Sequence, residues 1–496
     1  MSTGTTPHVV IVGGGNAGLA AAFFLKDQPV RVTVLDGAPH LGGKLSASDV
    51  AGVAMDEGAE ALLARRPEGI ELLTAVGLDT DLVPAGVTAS AIYTRGAMRS
   101  LPRRQFMGVP ADPDELAATG VVSPDGVARA RHETDRPGGT GPASGDVSVT
   151  EYVGSRLGPE VVDRLVDPLL GGVYAGRSED LSFAATLAPL AAAARTHPTL
   201  TAAVTSLLPP PPAPAPVSVS VPAAAAAVSA AASTPSTPGA SKPAPVFVTL
   251  TSGLGAVPEA VAKASGADVR VNAMVRGLRR AGSGWRLTIG SAADPEYLDA
   301  AAVILAVPAA PAARLLTEAV PAAATQLAQI PYASMAIVTL AFRADDFPAQ
   351  QRSGYLVPAV DGRAVKAVTF STVKWPHLAA QAPVHVVRCS LGRSGDVAVL
   401  QRDDKELAAL AAVELAEATG LTAAPVASRV TRWGGALPQY NVGHLDRVAR
   451  IRAAVAGQPG LAVAGAAYDG VGIPACIATA KSAVAQILAS LTTRPR

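Results

Sequence analysis

The stretch His8–Asp36, HVVIVGGGNAGLAAAFFLKDQPVRVTVLD, decides the fold. His8–Val12 is a short apolar run that reads as a strand. Glycines follow, then an Ala-rich run to about Lys26 that reads as a helix. Arg31–Asp36 is a second strand. Two strands joined through a helix require a right-handed parallel crossover, the opening of an α/β, Rossmann-like domain. Within Gly13-Gly14-Gly15-Asn16-Ala17-Gly18, Gly13 permits the tight turn and Gly15 lets the backbone approach a pyrophosphate. Gly18 lets helix and strand pack closely, and the helix N-terminus offers free N–H groups to the anion. A glycine triplet alone also fits a turn in an unrelated α/β fold. Here Asp36 closes the next strand about 20 residues on, where a carboxylate accepts hydrogen bonds from ribose hydroxyls and repels a 2′-phosphate.

Working outward, Leu41-Gly42-Gly43-Lys44 adds a second glycine pair and a cation soon after Asp36, more than a plain NAD fold needs. Asp56-Glu57-Gly58-Ala59-Glu60 has small residues able to lie against a flat ring, and reads equally as an ordinary acidic loop. At the far end, Leu461–Ala464 is a strand, Gly465–Gly472 a glycine-rich turn, and about Pro474–Leu491 a helix with proline in its first turn. Backbone N–H groups of Val471, Gly472 and Ile473 are placed to face the pyrimidine edge of a flavin, where reduction builds negative charge. This C-terminal return favours FAD over NAD. Between the ends, Tyr332–Phe342, Val365–Ser371 and Val384–Leu391 read as strands of an antiparallel sheet, and Asp403–Thr419 as an amphipathic helix. The nucleotide-binding domain is thus expected to draw on both ends of the chain, with a ligand cleft where it meets a β-rich partner.

Composition bounds the rest. With 496 residues, 49% hydrophobic and 16% charged, the chain is long enough for two or three domains and is not a wholly disordered polymer. A formal charge of +1 argues against a global nucleic-acid footprint. Two cysteines, Cys389 and Cys476, build neither a disulfide framework nor a four-thiolate metal site, and no metal-ligand spacing is visible among seven His. The mean hydropathy of +0.30 reflects alanine. His8–Leu25 and Val303–Ala313 are interrupted by glycines or prolines and do not read as membrane spans. The N-terminus carries no secretory pattern, so a soluble, cytoplasmic protein is expected. Pro209–Pro245 is a Pro/Ala/Ser-rich insertion and Ser123–Asp146 a weaker soft stretch; both are expected to be poorly ordered.

Many pieces together are more specific. GGGNAGLAAAFFL, LGGK, DEGAEALLARRPEGIELLTAVGL, DPLLGGVYAGRSEDLS, FVTLTSGLGAVPEAVA, TFSTVKWPHLA, RWGGALPQYNVGHL and AGAAYDGVGIPACI resemble the FAD-dependent protoporphyrinogen/coproporphyrinogen oxidases, within the amine-oxidase-like flavoproteins. The LLGGVYAG, KWPH and LPQYxVGH pieces are the most particular, and the pattern is nearest the bacterial coproporphyrinogen branch. The resemblance implies a Rossmann-like FAD domain from residues 1–90, 246–305 and 433–496, with a mostly helical substrate-side region at 91–206. It also implies an antiparallel-sheet substrate domain at 306–432, while composition gives a disordered Pro/Ala/Ser insertion at 207–245. FAD contacts map onto Gly13–Gly18, Asp36, Gly37, Gly43, Lys44, Gly58, Ala59, Glu60 and Ala61. They extend to Val275, whose backbone would meet the adenine, and to Trp433, Gly465, Val471, Gly472 and Ile473. The family often has Glu where Asp36 stands, and Asn16 replaces a more usual Ile or Ser.

The implied reaction oxidises a porphyrinogen to a porphyrin, coproporphyrinogen III first and protoporphyrinogen IX as the alternative; an amine-oxidase or desaturase-like flavoenzyme is the more distant reading. The porphyrinogen oxidation removes six electrons in three FAD cycles, each reoxidised by molecular oxygen to hydrogen peroxide. No side chain is expected to act as an obligatory base. A tetra-carboxylate substrate asks for cations, and Arg65, Arg66, Arg95, Arg99, Arg103, Arg104 and Lys374 are the candidates, with Arg66 and Lys374 foremost. Each also reads as solvated surface charge. Tyr174 and Tyr468 would line an apolar wall, or are ordinary core tyrosines. Expected partners are the porphyrinogen and oxygen, with no nucleic acid. Transient contact with other haem-pathway enzymes is compatible with this reading.

Overall fold

A computed structural model describes residues 6–135, 145–209 and 245–493. Its centre is a five-stranded parallel sheet. His8–Val12 lies in the middle, flanked by Arg31–Leu35 on one side and Ala302–Leu305 on the other. Asp268–Arg270 and Leu461–Val463 form the edges. Strands far apart in sequence are therefore adjacent in the sheet. Alternation along the first strand explains why it reads as one apolar run: Val9 and Ile11 enter one core, Val10 and Val12 the opposite one.

The helices Asn16–Leu25, Val257–Ser265 and Ile473–Thr492 cover the first face. The second face is covered by a three-stranded antiparallel sheet over Val275–Ala300 and by the helices Ala309–Leu316, Pro321–Ala328 and His444–Ala456. Ile473–Thr492 is long and apolar enough to cross a membrane by length and composition, a run that hydropathy reading of the sequence did not weigh. It buries Ile477, Ala480, Ala483, Val484 and Ile487 in the first core.

The β-rich partner is a seven-stranded sheet. Tyr332–Arg343, Val384–Leu391 and Val365–Phe370 pair antiparallel, close to the expected spans. Gly354–Leu356 continues the sheet and takes Ser90–Thr94 as a parallel neighbour, with Ala97–Ser100 beyond it. On the other edge lies Ala427–Pro438, a single strand that runs across residue 432. One face of this sheet packs on the helix Asp404–Thr419, which opens with a capping box of Asp403 and Glu406. A separate helical cluster, built on Val149–Leu157 and Asp167–Tyr174, sits beside it.

The expectation of poor order over Ser123–Asp146 is corrected for its first half. Pro124–Arg131 is a helix: Ser123 Oγ accepts from Gly126 N at 3.0 Å, proline occupies the first turn, and Arg129 and Arg131 sit at the negative end. Cap and dipole outweigh the Gly and Pro content there. Residues 136–144 of that stretch and 210–244 of the insertion lie outside the described residues.

Candidate functional site

Each glycine of the first turn meets a different steric demand. Gly13 has φ +109°, and a β-carbon there would lie 2.5 Å from Ala306 O. A β-carbon at Gly18 would overlap the carbonyl oxygen of Gly13. At Gly15 the nearest atom would be Gly43 Cα, at 4.0 Å. Gly13 and Gly18 are thus required by the fold, whereas Gly15 faces open space across from Gly43. The two glycine turns are joined by a hydrogen bond from Gly42 N to Gly14 O (2.9 Å).

Around this opening the structure gathers residues from across the chain. Gly15 caps Asn16–Leu25, and Gly472 caps Ile473–Thr492 without any side-chain cap. Asn16 Nδ2 donates to Ile473 O at 3.1 Å, so the positive ends of both helices converge. Ala17 is buried behind them, with Gly465 packed beside it. Lys44 follows the second turn, half-buried and without an ion-pair partner among the described residues. Burial holds its ammonium below the ordinary lysine range. Its carbonyl accepts from Ala59 N at 3.2 Å and excludes any β-carbon at Gly58. The Trp433 indole lies against Gly58 and donates from Nε1 to Glu57 O at 3.0 Å.

Asp36 takes the position after the second strand. Its carboxylate accepts from Gly14 N at 2.5 Å and from Ala38 N at 2.7 Å, which pins the first turn to the strand end. Gly37 lies against Met274, and Ala273 N donates to Asp36 O, so Val275 enters its strand beside this corner. The arrangement suits an extended dinucleotide. Two side-chain-free backbone turns face each other, two helix N-termini point to one place, and an unpaired cation stands next to them. A carboxylate marks one end. These residues fit FAD.

Four substrate candidates stand elsewhere or are engaged. Lys374 Nζ contacts Glu60 Oε1 at 2.6 Å, and Arg388 Nη1 contacts Glu60 Oε2 at 2.5 Å. All three side chains are largely buried, and the two cations outweigh desolvation to hold the Glu60 carboxyl down at about 2. Glu60 thus ties the Gly58–Ala61 loop to the seven-stranded sheet, while Ala61 packs with Trp375. Arg66 pairs with Glu68 at 2.7 Å on the surface, at the start of the helix Pro67–Ala75. That helix abuts the C-terminal one, where Gly69 meets Pro474. Tyr174 is buried in the helical cluster, and burial pushes its phenol up to about 12. Tyr468 is 1% exposed in the second core, its hydroxyl without a partner among the described residues.

Several residues that the fold places next to this region carried no site role in the sequence reading, although Glu57 lies in the Asp56–Glu60 segment and Tyr440 and His444 in the LPQYxVGH piece. Arg388 is one; a lone arginine inside the apolar strand VHVVRCSL requires a buried partner, and that was a usable signal. Glu57 is another. It is 3% exposed and accepts from the hydroxyls of Ser48 and Thr431. Tyr440 and His444, stacked at 3.9 Å, are the third case.

A family model described as flavin containing amine oxidoreductase matches residues 16–488. The chain belongs to this family. It is therefore an FAD-dependent oxidoreductase. Among these flavoproteins, a Mycobacterium leprae protein named coproporphyrinogen III oxidase is 36% identical, over 98% of this chain and 99% of its own. A Bacillus subtilis protein of the same name is 29% identical, over 98% of each chain. A crystal structure from Exiguobacterium superposes with a TM-score of 0.82 at 27% identity, covering 99% of this chain and all of that one.

Proposed function

We propose that this flavoprotein oxidises coproporphyrinogen III to coproporphyrin III in haem biosynthesis. The overall change removes six hydrogens from the macrocycle and reduces three molecules of oxygen to three of hydrogen peroxide. The substrate assignment comes from the full-length relatives that carry that name. The observation that carries the site is the opening between Gly15 and Gly43, flanked by two helix N-termini and Lys44.

In this reading the backbone of Gly13–Gly18 and Gly43 holds the pyrophosphate of FAD, and Asp36 the ribose. Gly37 and Val275 flank the adenine. Gly58, Ala59 and Trp433 bound the ring system, and Val471, Gly472 and Ile473 present N–H groups to its pyrimidine edge. When bound, FAD would supply the two-electron redox chemistry that the macrocycle oxidation needs. The protein's own part is to hold, orient and exclude water. The helix end at Gly472 stabilises negative charge that develops beside it. Lys44 adds a cation in a partly dry setting. Glu60, saturated by Lys374 and Arg388, keeps the ring-side loop in place rather than offering its charge to the reaction.

For the substrate carboxylates, Arg66 stands as the candidate. A surface ion pair such as Arg66–Glu68 contributes little and exchanges readily for another carboxylate. Lys374 is held in a buried triad and does not have that freedom.

The test is an anaerobic titration of the purified yellow protein with coproporphyrinogen III and, separately, protoporphyrinogen IX, following flavin absorbance. Bleaching by coproporphyrinogen III and recolouring in air with peroxide release are expected, with slower bleaching by protoporphyrinogen IX. A protein that neither carries nor takes up flavin, or whose flavin is bleached by neither compound, would overturn the assignment. Faster reduction by protoporphyrinogen IX would move it to that substrate.

A further inference from the structure

The loop Gly465–Gly470 precedes the helix end proposed to read the flavin's pyrimidine edge, and its shape is set from outside. The Tyr440 hydroxyl donates to Ala466 O at 2.6 Å and accepts from Gly470 N at 2.7 Å. A carbonyl can only accept and an amide N–H only donate, so both bonds together require a neutral phenol. Burial at 2% exposure pushes that phenol well above its ordinary range and keeps it neutral. His444 adds a third tie, from Nε2 to Tyr468 O at 3.2 Å. Gly470 in turn packs directly on the first turn of the C-terminal helix. It has φ +136°, and a β-carbon there would lie 2.8 Å from Ala475 Cβ.

The Tyr440 ring is held on two sides. His444 stacks on it at 3.9 Å and 12°, and Tyr174 leans on it at 5.5 Å and 53°. Its backbone is held by the helical cluster: Ser182 N donates to Tyr440 O at 2.8 Å. Next to it, Gln439 Nε2 donates to Tyr174 O at 2.8 Å. A continuous set of contacts thus runs from the helical cluster, through Tyr440, to the loop and the helix end.

We infer that Tyr440 is a positioning residue, whose hydroxyl fixes the Gly465–Gly470 loop and so aims the N–H groups of Val471–Ile473 at the flavin. The inference rests on the flavin placement proposed above. Tyr440 acts through Gly470. Its loss should alter the stabilisation of reduced flavin more than the capture of FAD, which depends on the N-terminal glycines.

Tyr440→Phe keeps the ring and removes both hydrogen bonds. The variant is expected to bind FAD with a Kd raised less than about tenfold, and its flavin reduction potential should shift to a more negative value. kcat should fall about tenfold with KM for the porphyrinogen within about twofold, since a direct donor to developing charge is worth more and this one is indirect. His444→Gln is the second variant, used also if Tyr440→Phe does not fold. It keeps an N–H for Tyr468 O but removes the stacked ring, and should move the potential in the same direction. A folded variant of either kind with unchanged potential and flavin spectrum would overturn the inference. If the wild-type protein takes up no FAD, the functional proposal fails instead; a yellow, active wild type with unaltered variants fails only the role of Tyr440.

Discussion

Gly15 and Gly18 stand three positions apart and serve opposite ends. A β-carbon at Gly18 has no room, because the Gly13 carbonyl occupies its place. A β-carbon at Gly15 has room, because the nearest protein atom, Gly43 Cα, would lie 4.0 Å away in ordinary contact, and its φ of −78° suits any residue. The two substitutions therefore part company. Gly15→Val should give a folded protein, with a melting transition like that of wild-type apoprotein, that is colourless and takes up FAD at least about a hundredfold more weakly. Gly18→Ala should fail at the level of stability, by more than about 3 kcal/mol, as expected when backbone and side chain must overlap. Fluorescence titration with FAD and thermal unfolding of both variants check this. A yellow Gly15→Val protein would mean that the pyrophosphate lies elsewhere. The steric demands at these glycines were readable in advance, since they are local: a turn, a close crossing and an open face separated by fixed steps of chain.

Between elements the sequence spoke less clearly. The helix Asp404–Thr419 and the strand Val384–Leu391 lie where periodicity and residue type put them. The meeting of Lys374 with Glu60 was not legible, because the two are 314 positions apart and nothing local in either segment announces the other. Lys374 had a visible motif and so attracted a ligand role; its carboxylate partner turned out to be protein. The triad makes a clear prediction for the join between the Gly58–Ala61 loop and the sheet. Glu60→Gln leaves two buried cations facing each other without compensation, and should destabilise the protein by about 3 kcal/mol, the usual cost of breaking a buried pair from one side. Lys374→Met removes one cation but leaves Glu60 with Arg388, and should cost less, about 1–2 kcal/mol. The double variant should fall short of the sum, because the singles share the same interaction. Urea unfolding of the three variants tests this; strict additivity would show that Lys374 and Glu60 do not interact, and would return Lys374 to the list of substrate cations.

At the scale of the whole molecule, assembly of the parallel sheet from both termini was foreseen from the glycine turns, but the route of the second sheet was not. Ser90–Ser100 joins it from the start of the 91–206 region that was expected to be mostly helical, and Ala427–Pro438 runs along its edge as one strand, carrying Trp433 to Glu57. Such pairings depend on tertiary packing, and a short strand such as Gly354–Leu356 carries too few residues to declare its neighbours. The same long-range packing sets how folding responds to acid. His444 is fully buried between Tyr440 and the Tyr468 carbonyl, with Nδ1 unpartnered among the described residues. Burial, helped by the Arg447 charge and opposed by the Tyr468 carbonyl, Asp469 and Asp146, lowers its pKa to about 4. The unfolded chain binds a proton at this residue near pH 6.5 and the folded one does not. Stability is then full above about pH 6.5 and falls as pH drops through that value toward 4, by about 3 kcal/mol in total. Glu60, held at about 2, adds its own loss below about pH 4.5, where the unfolded carboxyl protonates first. His444→Phe keeps a ring against Tyr440 and removes the titration, so it should start less stable at pH 7 and lose less between pH 7 and 4.5. Urea midpoints of wild type and variant at the two pH values, in saturating FAD, decide the matter: parallel losses would show that protonation of His444 is not what unfolds this protein in mild acid.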